Sequence, residues 1–198
     1  MAIYTKQLIP SSNTHSSQLG IEDKDNMYSS VSSDTYGYVF YKDDEYGFPQ
    51  FQTFYVDLEI GEIIPEGATI TSLSVRFKGR QANVQSYCSL LADGSYIGRT
   101  NALQSSLSVL PISVSQPQRL VSKNLKFRIE YTLQNKNANG DLFIYGAEIN
   151  VTYKYNDVYV KVGASWKKSK QIYQKNNGEW VKVPNTIISE DEHYEKGE

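Results

Sequence analysis

The stretch FYVDLEIGEIIPEGATITSLSVRFKGR, residues 54–80, decides the fold class because apolar and polar side chains alternate in both of its halves. Before the turn, the residues on one side of the chain are all apolar: Phe54, Val56, Leu58 and Ile60. After the Pro65-Glu66-Gly67 turn the alternation resumes, with Leu73, Val75 and Phe77 on the apolar side. A period of two with one apolar face is typical of half-buried strands in an antiparallel sheet. The stretch therefore predicts two strands that form a hairpin at the centre of the core.

The same alternation recurs through residues 36–155. It marks strands near residues 125–131 and 149–153, and Asp93-Gly94 is a hairpin turn signal between two others. Pro111 and Pro117 argue against a helix between residues 99 and 122. The count comes to about eight strands and no helix, which predicts an all-β antiparallel sandwich or jelly roll.

Composition narrows the classes of protein to be considered. The chain has 198 residues, 16 of them tyrosine, and a formal net charge of -2. That charge argues against a nucleic-acid binder, whose affinity comes from neutralising phosphates. The single cysteine, Cys88, has no partner for a disulfide or a thiolate metal site and is expected to be a small buried apolar residue. Without a leader pattern or a run of about 18 apolar residues, the sequence predicts a protein made in the cytoplasm and not inserted in a membrane.

Residues 1–35 are polar and irregular, and the sequence predicts an extended arm or loop against the domain. Within this segment, residues 22–26 gather oxygen ligands, so that Asp23, Asp25 and Asn26 are candidate calcium ligands. The segment lacks the spaced acids and the glycine of an EF-hand loop, and a solvated loop is the favoured interpretation. No other cofactor is predicted.

Aromatic side chains are dense between residues 36 and 55, and an acidic loop follows the first predicted strand there. Tyr41, Tyr46 and Phe48 are candidate contacts to a glycan or a protein partner, because flat rings supply contact area at little entropic cost. Core packing combined with a solvated loop is the alternative, and it is favoured.

The end of the chain contains an internal duplication. VYVKVGASWKK, starting at Val158, matches IYQKNNGEWVK, starting at Ile172, with a constant offset of 14 residues. The repeat predicts two hairpins over residues 156–188 that form a four-stranded mini-sheet, followed by a disordered acidic tail at 189–198. Trp166 and Trp180 are candidate residues for stacking on an anionic glycan such as teichoic acid. The favoured alternative places both in the core of the mini-sheet.

No arrangement of residues in the sequence points to catalysis, and the protein is predicted not to be an enzyme. The sequence lacks a phosphate-binding glycine loop, histidines at metal spacing and a nucleophile elbow. A polysaccharide-degrading enzyme is a less favoured alternative. A glycosidase needs two carboxylates that face each other, and the acids of this chain are clustered in sequence or lie along one strand. The acids considered for that role include Asp43, Asp44, Glu45, Asp57 and Glu59.

Two motifs carry a resemblance to virion structural proteins of tailed bacteriophages. The first is IPEGATI at residues 64–70 followed by the alternating strand SLSVRFKGR, with DKDNMYSSVSSD upstream. The second is the carboxy-terminal repeat, which is similar to the YVKV-x-G-x-WK hairpins that often end phage tail, fibre and baseplate proteins. The first hairpin departs from that pattern at its turn, where VGASW replaces the usual Asn-Gly.

The resemblance implies a non-enzymatic virion component with a jelly-roll domain akin to carbohydrate-binding modules. It also implies a homo-oligomer, a trimer or a larger ring, whose partners are other virion proteins of the tail, baseplate, collar or capsid surface. Two functions stay open: a structural assembly protein, and a receptor-binding module that recognises host cell-surface glycan. The absence of a fibrous or coiled-coil repeat favours assembly.

Overall fold

The computed structural model describes residues 2–23, 28–42, 52–133, 140–155, 158–162, 165–169, 172–176 and 179–183. These residues form seventeen strands and one 3₁₀ turn, Pro117–Leu120. In chain order the strands are β1 (Ala2–Leu8), β2 (Ser12–His15), β3 (Leu19–Asp23), β4 (Tyr38–Lys42), β5 (Thr53–Glu59), β6 (Thr69–Ala82), β7 (Val84–Gln85), β8 (Cys88–Ala92), β9 (Ser95–Arg99), β10 (Ser108–Pro111), β11 (Ser113–Val114), β12 (Leu125–Leu133), β13 (Asp141–Tyr155), β14 (Val158–Val162), β15 (Ser165–Ser169), β16 (Ile172–Asn176) and β17 (Glu179–Val183).

Two antiparallel sheets pack face to face. The first sheet has the order β10-β6-β13-β4-β3, and β1 pairs with the second half of β13. The second sheet has the order β11-β9-β8-β12-β5-β2, and β7 pairs with the end of β12. The predicted all-β antiparallel sandwich is confirmed. No helix of the described residues is long and apolar enough to cross a membrane.

The core lies between the sheets and is built from the apolar sides of the alternating strands. Along β12 every second side chain is buried, and the same holds for the apolar side of β5. Cys88 is fully buried, as predicted, and burial raises the pKa of its thiol. Asp93 and Gly94 both have positive φ, at 48° and 75°, so the predicted turn between β8 and β9 is a type I′ hairpin.

The predicted central hairpin of residues 54–80 is wrong in one respect. Both strands exist with the predicted faces, but β5 pairs with β12 and β2 in the second sheet, whereas β6 pairs with β13 and β10 in the first. The turn at Pro65–Gly67 is present, since the Ala68 amide donates to the Pro65 carbonyl oxygen at 3.1 Å and Gly67 has φ 85°. It lies inside a connection between the sheets. Alternation reports which face of a strand is buried and carries no information about its partner.

The predicted N-terminal arm is also corrected. Residues 2–23 contribute three strands: β1 pairs with β13, β2 with β5, and β3 with β4. These strands have a weak apolar pattern because they lie at sheet edges, where the burial of β1 is confined to Leu8 and its neighbours are exposed or half-buried. A polar segment can therefore join a sheet through its backbone alone.

The carboxy-terminal duplication forms two hairpins in the same register. Lys161 faces Trp166 in the β14–β15 pair, and Lys175 faces Trp180 in the β16–β17 pair. In the described part of the chain these are two separate two-stranded sheets, and the predicted four-stranded mini-sheet is not formed.

Candidate binding surfaces

Residues 28–37, named here the strap, lie across the outer face of the first sheet. The Ala147 amide donates to the Ser29 carbonyl oxygen at 3.2 Å. A Cβ atom added at Gly146 would overlap the carbonyl oxygen of Ser30, so glycine is needed for the strap to approach this closely. Gly146 follows a register shift in β13, which aligns Ile144 with Gly79 and Gly146 with Lys78.

A buried carboxylate fixes the strap to the sheet. Glu148 is 1% exposed and accepts hydrogen bonds from Arg76, Gln7, Asn150 and the Val31 amide. The distances from Gln7 Nε2, Asn150 Nδ2 and Val31 N are 3.1, 2.7 and 3.3 Å. A carboxylate surrounded by donors in this way is satisfied within the fold, and its role is structural.

The end of the strap contributes Tyr36 to the arginine–aromatic cluster, whose other members are Arg80, Phe143 and Tyr145. The Tyr36 ring meets the edges of Phe143 and Tyr145, with centroids 5.6 and 5.8 Å apart. The guanidinium carbon of Arg80 lies 3.6 Å from the Phe143 ring centroid. All four side chains are partly exposed on the outer face. The cluster presents ring surface and one stacked guanidinium to solvent.

Tyr41, predicted as a partner contact, lies on the same face as this cluster. Its backbone pairs with Asp141, two residues from Phe143 along β13. Its ring lies where a Cβ of Gly20 would be, and the residue is 39% exposed. The ring therefore lies over β3, at the edge of the sheet, on the side of β4 away from the cluster.

The other predicted site residues fall outside the described part of the chain and stay predictions. Tyr46, Phe48, Asp25 and Asn26 lie outside it entirely. The backbone is described for the remaining three, but their side chains are not: Asp23 in β3, Trp166 in β15 and Trp180 in β17.

The outer face of the second sheet carries a second surface, named here the tyrosine–arginine face. Tyr96 is 54% exposed and Tyr55 is 37% exposed. The guanidinium carbon of Arg128 lies 4.8 Å from the Tyr55 ring centroid, and that of Arg99 lies 4.0 Å from the ring of Tyr87.

Ion pairs run between the strands of this face. Asp57, which is 6% exposed, accepts two hydrogen bonds of 2.7 Å from Arg128 and a third of 2.7 Å from Lys126. Burial by itself raises the pKa of Asp57, but the hydrogen bonds from Arg128 and Lys126 outweigh it and hold that pKa below its usual value. The hydrogen bond to Asp57 likewise raises the pKa of Arg128. Arg99 pairs with Glu130 at 2.6 Å.

Among the described residues no group of three or more His, Cys, Asp or Glu side chains could hold a metal ion. A crevice between the strap and the core, lined by Tyr28, Ser29, Leu58 and Ala147 among others, has a volume of about 10 Å³. That space holds roughly one water molecule, and a sugar ring does not fit.

Comparisons with known proteins give remote structural neighbours. No family model matches the chain, and no curated protein is similar to it. A cyclase from Fischerella sp. TAU is 11% identical with a TM-score of 0.41, over 69% of this chain and 73% of the cyclase. The CBM36-1 domain of a multidomain xylanase from the hindgut metagenome of Trinervitermes trinervoides is 13% identical with a TM-score of 0.34, over 78% of this chain and all of that domain (100%). A family 43 arabinoxylan arabinofuranohydrolase from Bacillus subtilis is 9% identical with a TM-score of 0.36, over 73% of this chain and 28% of the enzyme.

The arginine–aromatic cluster was missed in the sequence, although a signal for it exists. In residues 141–145 the apolar Leu142 and Ile144 are buried, and Phe143 and Tyr145 alternate with them on the other side. Aromatic residues at outward positions of a strand indicate an exposed ring surface or a covering segment. Here both are present, because the strap covers part of the face.

Proposed function

We propose that this protein is a non-enzymatic structural protein of a tailed-phage particle, which binds neighbouring virion subunits. The IPEGATI segment and the terminal hairpins resemble segments of tailed-phage virion proteins, and this resemblance supports a place in the virion. The observation that carries the binding role is the tyrosine–arginine face. The proposal includes assembly as a homo-oligomer and localisation in the particle.

The chemistry of this face suits a protein partner. Tyrosine and arginine are enriched at protein interfaces, where rings supply contact area and guanidinium groups supply directed hydrogen bonds. Both arginines already have carboxylate partners, since Arg128 pairs with Asp57 and Arg99 with Glu130. A partner can therefore cover the face without leaving an unpaired charge in a low dielectric.

The experiment quantifies the protein in purified particles of the phage that encodes it, by mass spectrometry. We expect a fixed copy number in washed particles of the wild type. A Tyr55→Ser/Tyr96→Ser double variant is expected to be made and folded but to be incorporated at least about tenfold less, because two exposed rings of the interface are lost. Tyr41→Ser, which removes a tyrosine of 39% exposure from the opposite sheet, is the control and is expected to incorporate normally. Absence of the wild-type protein from washed particles would contradict the proposal.

A second candidate function is a receptor-binding module for host cell-surface glycan. The arginine–aromatic cluster favours it, because exposed rings stack on the apolar faces of sugars. The two functions predict different behaviour of the purified protein. A receptor-binding module labels susceptible cells and blocks phage adsorption, whereas an assembly protein does neither and is retained by particles.

A further inference from the structure

Three arginines of the described part of the chain lie over aromatic rings on the outer faces of the sandwich. The distances from the guanidinium carbon to the ring centroid are 3.6, 4.0 and 4.8 Å, for the pairs Arg80–Phe143, Arg99–Tyr87 and Arg128–Tyr55. Stacking orients a guanidinium and leaves its in-plane N–H donors free to bind an oxyanion through two hydrogen bonds.

Within the residues that the structure describes, Arg99 and Arg128 bind a carboxylate of the fold and Arg80 does not. Arg99 pairs with Glu130, and Arg128 is bound by Asp57 through both carboxylate oxygens. Within the described residues the Arg80 side chain makes no hydrogen bond or ion pair, and its contact there is with the Phe143 ring. The Arg80 backbone pairs with that of Phe143. Lys78, its neighbour on the same side of β6, is neutralised by Asp34 at 2.9 Å. Among the arginines stacked on rings in the described part of the chain, Arg80 therefore carries the positive charge that no acidic side chain of that part neutralises.

The side chains around Arg80 indicate the chemical class of the ligand that would carry the acidic group. Tyr36 and Tyr145 adjoin Phe143, so the charge is set among rings. The strap beside them exposes the hydroxyl-bearing residues Ser32 and Thr35. Rings and hydroxyls together match a polyhydroxylated ligand with apolar faces, and the guanidinium matches an acidic group on that ligand.

We propose that the arginine–aromatic cluster binds an acidic glycan, and that Arg80 binds its oxyanion, either the carboxylate of a uronic acid or the phosphate of a teichoic acid. This inference rests on the second candidate function and names its ligand class. Tyr36, Phe143 and Tyr145 contact the sugar body, and Arg80 discriminates acidic from neutral polymers.

The test measures binding of the full chain to polygalacturonate, glycerol-phosphate teichoic acid and neutral dextran by affinity gel electrophoresis. We expect binding to one or both acidic polymers and at least about tenfold weaker binding to dextran. Arg80→Gln is expected to lower affinity for the acidic polymer by about tenfold or more, and Arg80→Lys by less, because lysine keeps the charge and loses the fork. Arg99→Gln is the matched control, because Arg99 also lies over a ring but is paired with Glu130. The affinity of this variant for the acidic polymer is expected to stay within about twofold of the wild-type value. Circular dichroism confirms that each variant is folded.

The other possible binding results each support or contradict the acidic-glycan proposal. Tight binding to dextran as well, unaffected by Arg80→Gln, overturns the inference and leaves glycan recognition standing. Equal binding to poly-glutamate overturns it in favour of an acidic protein partner. Failure to bind either acidic polymer, together with failure to label susceptible cells, overturns the inference and the receptor-binding function together. A preference for polygalacturonate or for teichoic acid that is lost in Arg80→Gln supports the inference and identifies the source of the oxyanion.

Discussion

Asp57 and Glu148 are acidic residues that the fold buries to 6% and 1% exposure, one on each outer face. Each accepts hydrogen bonds from strands adjacent to its own: Asp57 from Arg128 and Lys126, and Glu148 from Arg76 and Gln7. At the level of single residues, charge on this protein therefore serves first to hold neighbouring strands together. Arg80 departs from that rule in the described part of the chain, which is why it carries the proposal of an external ligand.

Replacing Asp57 by Asn tests the ion-pair network through its pH dependence. The pKa of Asp57 is lower in the folded protein than its usual value of 3.8, so its stabilisation is fully present above that value and is lost as pH falls through the folded pKa. We expect Asp57→Asn to lower the free energy of unfolding by about 2 kcal/mol at pH 7. The difference from the wild type should shrink below about pH 4.

Urea unfolding at pH 7 and pH 3 gives both differences. The control is Glu62→Gln, which removes the ion pair with Lys6. Both side chains of that pair are exposed, Glu62 by 58% and Lys6 by 35%. This variant is expected to change stability by less than about 0.5 kcal/mol at either pH. A penalty for Asp57→Asn that does not vary with pH would contradict the assignment.

The strap is the element that distinguishes the two sides of the sandwich. It covers part of the first sheet's outer face and is held there by Gly146, by Glu148 and by the hydrogen bond from Lys78 Nζ to the Ser33 carbonyl oxygen at 2.6 Å. Lys78 is 8% exposed for this reason, although it points away from the core. On the tyrosine–arginine face, by contrast, the rings of Tyr96 and Tyr55 are 54% and 37% exposed.

Substituting Gly146 with Ala is expected to lift the strap from the sheet. The new Cβ meets backbone oxygen of the strap, which cannot rotate away, so we expect a loss of about 1–3 kcal/mol in the free energy of unfolding. The amides of Val31 and Ala147 should exchange hydrogen faster, because their acceptors lie across this contact.

Gly94→Ala separates this steric effect from backbone strain. Gly94 has φ 75° and nothing within 4 Å of an added Cβ, so alanine there is expected to cost about 1–2 kcal/mol without loosening the strap. If Gly146→Ala leaves the exchange of Val31 and Ala147 unchanged, the strap is not held by this contact.

In the sandwich, strands that are far apart in the sequence pair with one another within each sheet. β13 pairs along nearly its full length with β6, and its second half also pairs with β1, from Leu8 opposite Ile149 to Ala2 opposite Tyr155. Within the described residues the hairpins β14–β15 and β16–β17 pair with no strand of the sandwich. From this strand pairing we expect the stability of the sandwich to depend on β1 and β2 more than on the two hairpins.

Truncation at either end tests this asymmetry. A chain ending at residue 155 is expected to unfold cooperatively, with a melting temperature changed by less than about 4 °C. A chain lacking residues 2–16 loses β1, β2 and the fully buried Leu8, and it is expected to fail to unfold cooperatively. Differential scanning calorimetry measures both. A loss of cooperativity in the chain ending at 155 would show that the hairpins support the sandwich.

The amino-acid sequence by itself determined the local properties of this protein. Alternation in residues 54–80 and 125–131 predicted strands and their buried faces, Asp93-Gly94 predicted its hairpin, and the 14-residue repeat predicted two hairpins. Each of these follows from interactions between residues close in the chain, or from the burial of one side of a strand.

The tertiary structure alone decided which strands are partners and what lies on the outer faces. The separation of β5 and β6 into different sheets, the pairing of residues 2–23 and the descent of the strap onto Gly146 all join residues far apart in sequence. A backbone edge accepts any strand of suitable geometry, so partner choice depends on the packing of the whole core and leaves no local signature. The same holds for Arg80: its stacking on Phe143 exists only once β6 and β13 lie side by side, and no acidic side chain of the described residues pairs with it.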